Sequence, residues 1–242
     1  MAWFRPDLWS RICRAAAATL VAATLVATAL VATTAIIGPA QAAERPIYFD
    51  VWREGSLIGS HRIDFTRQGD ELRVDIAIEL KVDFAYITVF RYQHRNREIW
   101  RDGRLLAMQS TTDDDGDRAR VSLEARGGEL AVEGTKFAGT VPGNLLPTTY
   151  WREDSIRAGR LVSSQDGRIF EVTVTPLGEE DVLSEGRMVT ARHYSMRGDL
   201  DLDLWYDADG QWVRLTFKAS DGSLIEYRRV TPPAVMAGGE GK

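Results

Sequence analysis

Leu72, Val74, Ile76, Ile78 and Leu80 occupy every second position of one segment, with Arg73, Asp75 and Glu79 between them. Successive side chains of an extended strand point to opposite faces, whereas a helix repeats every 3.6 residues, so this run gathers its apolar groups on one side only as a β-strand. The same period appears in Tyr48, Asp50 and Trp52 against Phe49, Val51 and Arg53, before a turn at Glu54-Gly55. Further strands are expected from Leu57-Ile58 to Phe65, over Asp83–Tyr92, at Glu98–Trp100 and over Leu105–Thr112. Between such runs stand Asp102-Gly103, Gly127-Gly128, Asp166-Gly167 and Asp221-Gly222. Glycine accepts positive φ there, and aspartate bonds to the backbone that follows. No helical period of useful length interrupts Pro46–Val230, which excludes a parallel α/β sheet and a helical bundle. The expected fold is all-β, a single antiparallel meander forming a strongly curved sheet or an incomplete β-barrel.

One segment breaks the pattern. Pro142 and Pro147 exclude a central strand across Val141–Trp151, and Thr148 is placed to cap a short helical crossover near residues 147–152. This segment reads in two ways: as a lid carrying Leu145, Leu146, Tyr150 and Trp151 over the mouth of the curved sheet, or as a crossover that seals an open end of the core. Near the C-terminus Asp199, Asp201 and Asp203 alternate with Leu200, Leu202 and Leu204 before the turn Asp207-Ala208-Asp209-Gly210. A loop closing on Tyr206 and Gln211 sets Leu204 opposite Val213, Leu202 opposite Leu215, and Leu200 opposite Phe217. On the other face it sets Asp203 opposite Arg214 and Asp199 opposite Lys218.

The first 42 residues read as an export signal. Arg5, Arg11 and Arg14 precede an apolar run from Ala15 to Ile37, and Ala40-Gln41-Ala42 offers a small-residue cleavage site before Ala43. An uncleaved inner-membrane anchor through 15–37 is the alternative, because that run is long enough to span a bilayer. The expected organisation is a signal peptide at 1–42, one β-domain at 43–230 and a disordered tail at 231–242, with the mature chain periplasmic. Cys13 is the single cysteine and lies within the signal, so the mature chain forms no disulfide and rests on its core. Without the signal, 27 basic and 34 acidic residues remain. That balance, with no basic cluster interleaved with aromatics, argues against nucleic acid as a partner.

No catalytic signature stands out. In Asp113-Asp114-Asp115-Gly116-Asp117, aligning the glycine with the sixth position of a calcium loop puts Thr111 first and Ser122 twelfth, where aspartate and glutamate are required. A hairpin tip explains the run without a metal. His61, His94 and His193 are too far apart in sequence for a zinc helix or finger. His193, beside Arg192 and Tyr194, is a candidate pocket residue, with an ordinary sheet-surface histidine as the alternative. There is no nucleophile elbow, phosphate loop or dinucleotide loop, and no catalytic, cofactor-binding or metal-binding residue is assigned.

The segments His193-Tyr194, Gly198-Asp199-Leu200, Asp203–Asp207 and Asp221–Tyr227, with Val51–Gly55, Ile58-Gly59 and Tyr150-Trp151, resemble a family of exported Gram-negative proteins described only as domains of unknown function. The resemblance spans Tyr48 to Val230 and implies an all-β periplasmic domain without assigning a catalytic residue, cofactor or substrate. The function expected is non-enzymatic: a concave apolar face built on Leu72–Leu80 holds a lipid or other amphipathic envelope molecule. Tyr150, Trp151, His193, Leu145 and Leu146 are then the lining or gate residues. The alternative is a structural or assembly factor that docks another envelope protein through a sheet edge or its acidic face, and a third reading is hydrolysis by paired carboxylates. No stable membrane insertion is expected after cleavage.

Overall fold

The structure is a computed structural model, and it describes residues 45–84 and 87–232. The export signal, the alternative anchor and all of the tail beyond Pro232 lie outside the described residues. Fifteen strands form one sheet among the described residues. Eight come first: β1 (Ile47–Arg53), β2 (Ser56–Gln68), β3 (Glu71–Phe84), β4 (Ile87–Arg101), β5 (Arg104–Asp114), β6 (Asp117–Arg126), β7 (Glu129–Gly134) and β8 (Ala138–Pro142). Seven follow: β9 (Leu146–Pro147), β10 (Arg160–Val162), β11 (Ile169–Ser184), β12 (Arg187–Gly198), β13 (Leu202–Tyr206), β14 (Trp212–Lys218) and β15 (Leu224–Val230).

The order across the sheet runs from β8 down to β1, then from β15 down to β9. The chain therefore begins in the middle, winds out to one edge, passes to the opposite edge and winds back, so that β1 pairs antiparallel with β15 through Tyr48–Val230 to Arg53–Ile225. This connectivity forces curvature. Laid flat, fifteen strands would hold β8 and β9 about 67 Å apart, yet residues 143–145 alone join them and reach at most about 14 Å. The sheet curls until its edges face each other, without closing into a barrel.

Curling folds one half of the sheet over the other and encloses the core. Ile63, Val74, Ile76, Met108, Leu123 and Leu130 come from one half, and Met196, Leu204, Tyr206 and Trp212 from the other. The alternation in β3 is realised as expected: Leu72, Val74 and Ile76 are buried, and Ile78 and Leu80 pack partly buried against them. Beyond a bulge at Pro176–Gly178 the β11–β12 hairpin lies over the outside of the sheet, where Val182 and Ala191 pack on Trp205 and Val213.

Three local expectations are corrected. The helical crossover is a 3-10 helix at Glu153–Ala158 rather than a turn near 147–152, and its N-cap is Arg152 with no side-chain cap. Pro147 belongs instead to β9, which pairs parallel with β10, so the meander is antiparallel except at this edge. Thr148 accepts a hydrogen bond from the Ser164 amide at 3.1 Å and caps no helix. The third correction is the register of the β13–β14 hairpin, displaced by two residues: Leu204 faces Leu215, Leu202 faces Phe217, and a bulge at Trp205–Tyr206 absorbs the difference. A two-residue slip leaves every leucine on the same face, so alternation is blind to it. Consequently Asp203 pairs with Arg197 at 2.9 Å and Arg214 with Glu226 at 2.7 Å.

Candidate functional site

Four of the residues expected to line or gate a ligand cavity pack into or against the core, and His193 stands apart from them. Leu145 is buried, Leu146 packs against the core, and the Tyr150 ring meets Trp212 edge-on at 6.0 Å. The Tyr150 side chain is half-buried, and desolvation pushes its phenol pKa above the usual range. Its carbonyl accepts a hydrogen bond from the Tyr206 hydroxyl at 2.8 Å. Trp151 meets Trp100 at 5.5 Å and Phe65 at 5.4 Å, both edge-on. A cleft of about 220 Å³ lies beside the two indoles, and the Arg152 guanidinium stacks over both. The apolar face of β3 thus meets protein, and residues 145–151 plug the end of the curled sheet.

What holds the plug is a group that alternation alone does not single out. Glu98 is fully buried near the C-terminal end of β4. Its carboxylate accepts from Asn96 Nδ2 at 3.0 Å, Trp100 Nε1 at 2.8 Å and Trp151 Nε1 at 2.9 Å, and Thr149 also bonds to it. Burial raises its pKa, and these four hydrogen bonds oppose the rise. The available signal was that Asn96 and Glu98 share the inward phase of β4 with Trp100. Nearby, Ser110 donates to the Ser164 carbonyl at 2.5 Å, and Gln165 donates to the Tyr92 hydroxyl at 2.7 Å. The Ser163–Arg168 loop therefore stops the interior beside β4 and β5 as Trp151 stops it elsewhere.

The histidines separate. His61 is buried against Phe49, Trp212 and Tyr227, with no partner for either ring nitrogen, and burial lowers its pKa to about 3. His94 Nδ1 bonds Thr112 Oγ1 at 2.9 Å, and burial lowers its pKa to about 4. His193 points away from the core, stacked on Trp205 at 4.1 Å, with Glu180 3.5 Å and Asp203 3.7 Å away. It shares no site with Tyr150 or Trp151. The 3-10 helix is pinned to β12 because Glu153 accepts from Arg192 at 2.7 Å and from the Tyr194 hydroxyl at 2.6 Å. Among the described residues, no cluster of three histidine, cysteine or acidic groups is placed to hold a metal. The acidic run at 113–117 is a hairpin tip in which Asp113 accepts from the Gly116 amide at 2.8 Å.

Two features stand out on the outside of the described residues. Opposite the core, β2–β8 form a groove of about 1370 Å³ lined by Arg62, Arg95, Arg97, Arg118 and Arg120 and also by Asp64, Asp75 and Glu133. The other is the far end of the β3–β4 hairpin. Pairing with β2 stops at Leu80, pairing with β5 stops at Tyr92, and Arg91 is held by the amide of Asp115. Among the described residues, Lys81–Phe84 therefore pair only with Ile87–Arg91, and Ile87 and Val89 are 67% and 52% exposed.

A family model for a domain of unknown function, DUF6134, matches residues 49–230. No curated protein matches the chain. Among solved structures, the chain is similar to a beta-barrel-like protein of the domain of unknown function DUF1849 from Brucella abortus, at 15% identity and a TM-score of 0.54. The match covers 77% of this chain and 95% of that one, and it establishes likeness of fold.

Proposed function

The chain belongs to the DUF6134 family of domains of unknown function, and from that premise we propose a non-enzymatic periplasmic protein that docks another envelope protein on the hairpin arm Lys81–Phe84 and Ile87–Phe90. The carrying observation is that, among the described residues, no strand pairs with either outer edge of this arm, which also exposes Ile87 and Val89. Such edges recruit a strand from a partner, main-chain bonds supplying affinity and side chains specificity.

Other edges are blunted or covered: β8 ends in Pro142, β9 is two residues long and contains Pro147, and β11 carries Pro176, a bulge and the acidic run Glu179–Asp181. Among the described residues, Arg187–Ala191 of β12 also has no second strand and carries exposed Met188, but its hairpin packs through Val182 and Ala191 on Trp205 and Val213. Two buried ionisable groups have structural roles, Glu98 in four hydrogen bonds and His61 in an aromatic cluster, which supports this reading. Export is ascribed to residues 1–42, with cleavage after Ala42.

The test places a photo-crosslinking residue at Thr88 in intact cells. A discrete adduct heavier than a dimer of the chain, lost on Ile87→Lys/Val89→Lys, is the expected result. No adduct, an adduct indifferent to those substitutions, or one at twice the chain's mass would overturn the reading.

A further inference from the structure

We propose that the outer face of β2–β6 binds an extended anionic polysaccharide through a row of arginines, separate from the docking arm. The pairing register aligns five residues across five strands: Arg62 faces Ala77, Ala77 faces Arg95, Arg95 faces Thr111, and Thr111 faces Arg120. Guanidinium groups thus stand on alternate strands with a small side chain between them. Neighbouring strands lie about 4.8 Å apart, so successive arginines repeat at about 10 Å. The row lies in the 1370 Å³ groove.

These cations are available. Arg120 has no ion pair among the described residues, whereas Arg62 and Arg95 pair with Asp64 and Glu79. Those two pairs are exposed, with half of each guanidinium side chain in solvent. Exposed pairs contribute about 0–1 kcal/mol, so a polyanion that meets several arginines at once displaces them readily. The chain carries a formal charge of −5, which repels anions at long range and leaves attraction to the local row.

The lining of the groove selects the ligand class, because a repeat of about 10 Å equals three phosphate steps of about 3.4 Å and does not by itself separate nucleic acid from other polyanions. Binding of single strands relies on aromatic platforms, and none of the residues lining this groove is aromatic. Thr111 within the row and Gln109 and Ser122 beside it present hydroxyl and amide groups to sugar hydroxyls.

Calorimetry at fixed salt with alginate oligosaccharides, neutral dextran and inorganic polyphosphate decides the matter. Alginate is expected to bind and dextran not, and Arg95→Gln/Arg120→Gln is expected to weaken alginate binding about tenfold or more with unchanged Tm. Arg160→Gln/Arg187→Gln, which removes the same charge elsewhere, is expected to leave it intact. Absent alginate binding, tighter binding of polyphosphate, or equal loss in both double variants would overturn the proposal.

Discussion

Trp151 Nε1 donates to the Glu98 carboxylate at 2.9 Å across 53 positions of sequence. The bond joins the segment between β9 and the 3-10 helix to the C-terminal part of β4 and helps to hold that segment against the core. Trp151→Phe keeps most of the apolar contact and takes one donor from a buried carboxylate, so a loss of about 1–2 kcal/mol is expected in urea unfolding. Glu98→Gln puts an amide where indole donors converge and is expected to cost about 1–3 kcal/mol. The double variant should lose less than the two together, because both break the same bond. Strict additivity would mean that the bond does not couple these elements.

Acid should destabilise the protein through its buried histidines. His61 and His94 ionise at about 3 and 4 in the folded chain, against an ordinary value of 6.5. Below about pH 6.5 the unfolded chain takes up protons that the folded chain refuses, so stability is full above that pH and drains as pH falls toward 3–4. Glu98, with its raised pKa, works in the opposite direction at the acid end. His61→Phe should reduce the dependence of unfolding free energy on pH by up to one proton across that window, measured as denaturation midpoints from pH 4 to 7. An unchanged slope would show that His61 is hydrated or paired.

Gly59 is a packing requirement. A Cβ added there would lie 1.9 Å from the Glu79 carbonyl oxygen, on the neighbouring strand of the central sheet. Gly59→Ala is expected to cost about 3 kcal/mol or prevent folding. Gly69, with φ of 61° and nothing within 4 Å of an added Cβ, should cost only about 1 kcal/mol as alanine. Equal losses would contradict the close approach of β2 and β3.

The docking arm should tolerate charge. Val89→Lys changes a side chain that is 52% exposed on a segment with no outside strand, so stability should move by no more than about 0.5 kcal/mol in thermal unfolding. A large loss would mean that the arm is packed against the domain.

Much of the architecture is legible in the residues. The alternation of Leu72–Leu80 gives both the strand and its buried face, and Asp102-Gly103 and Asp221-Gly222 mark turns that the chain makes. Alternation reports face and is silent on register, which is why the Leu204–Leu215 pairing was missed by two residues. It is also silent on which strand ends outrun their neighbours. The free arm and the Arg62–Arg95–Arg120 row follow only from the paired strands, since the arginines lie 25 or more positions apart in sequence. Tyr150 and Trp151 stand out in the sequence, but whether such rings cover an opening or fill it depends on a partner such as Glu98, whose inward position in β4 the apolar pattern does not mark.

The account places function outside a filled interior, and native mass spectrometry of the protein purified from periplasm tests this most directly. It predicts the bare mass of residues 43–242, unchanged by organic solvent. Additional mass released by organic solvent would mean that the curled sheet encloses an apolar ligand and would contradict the account.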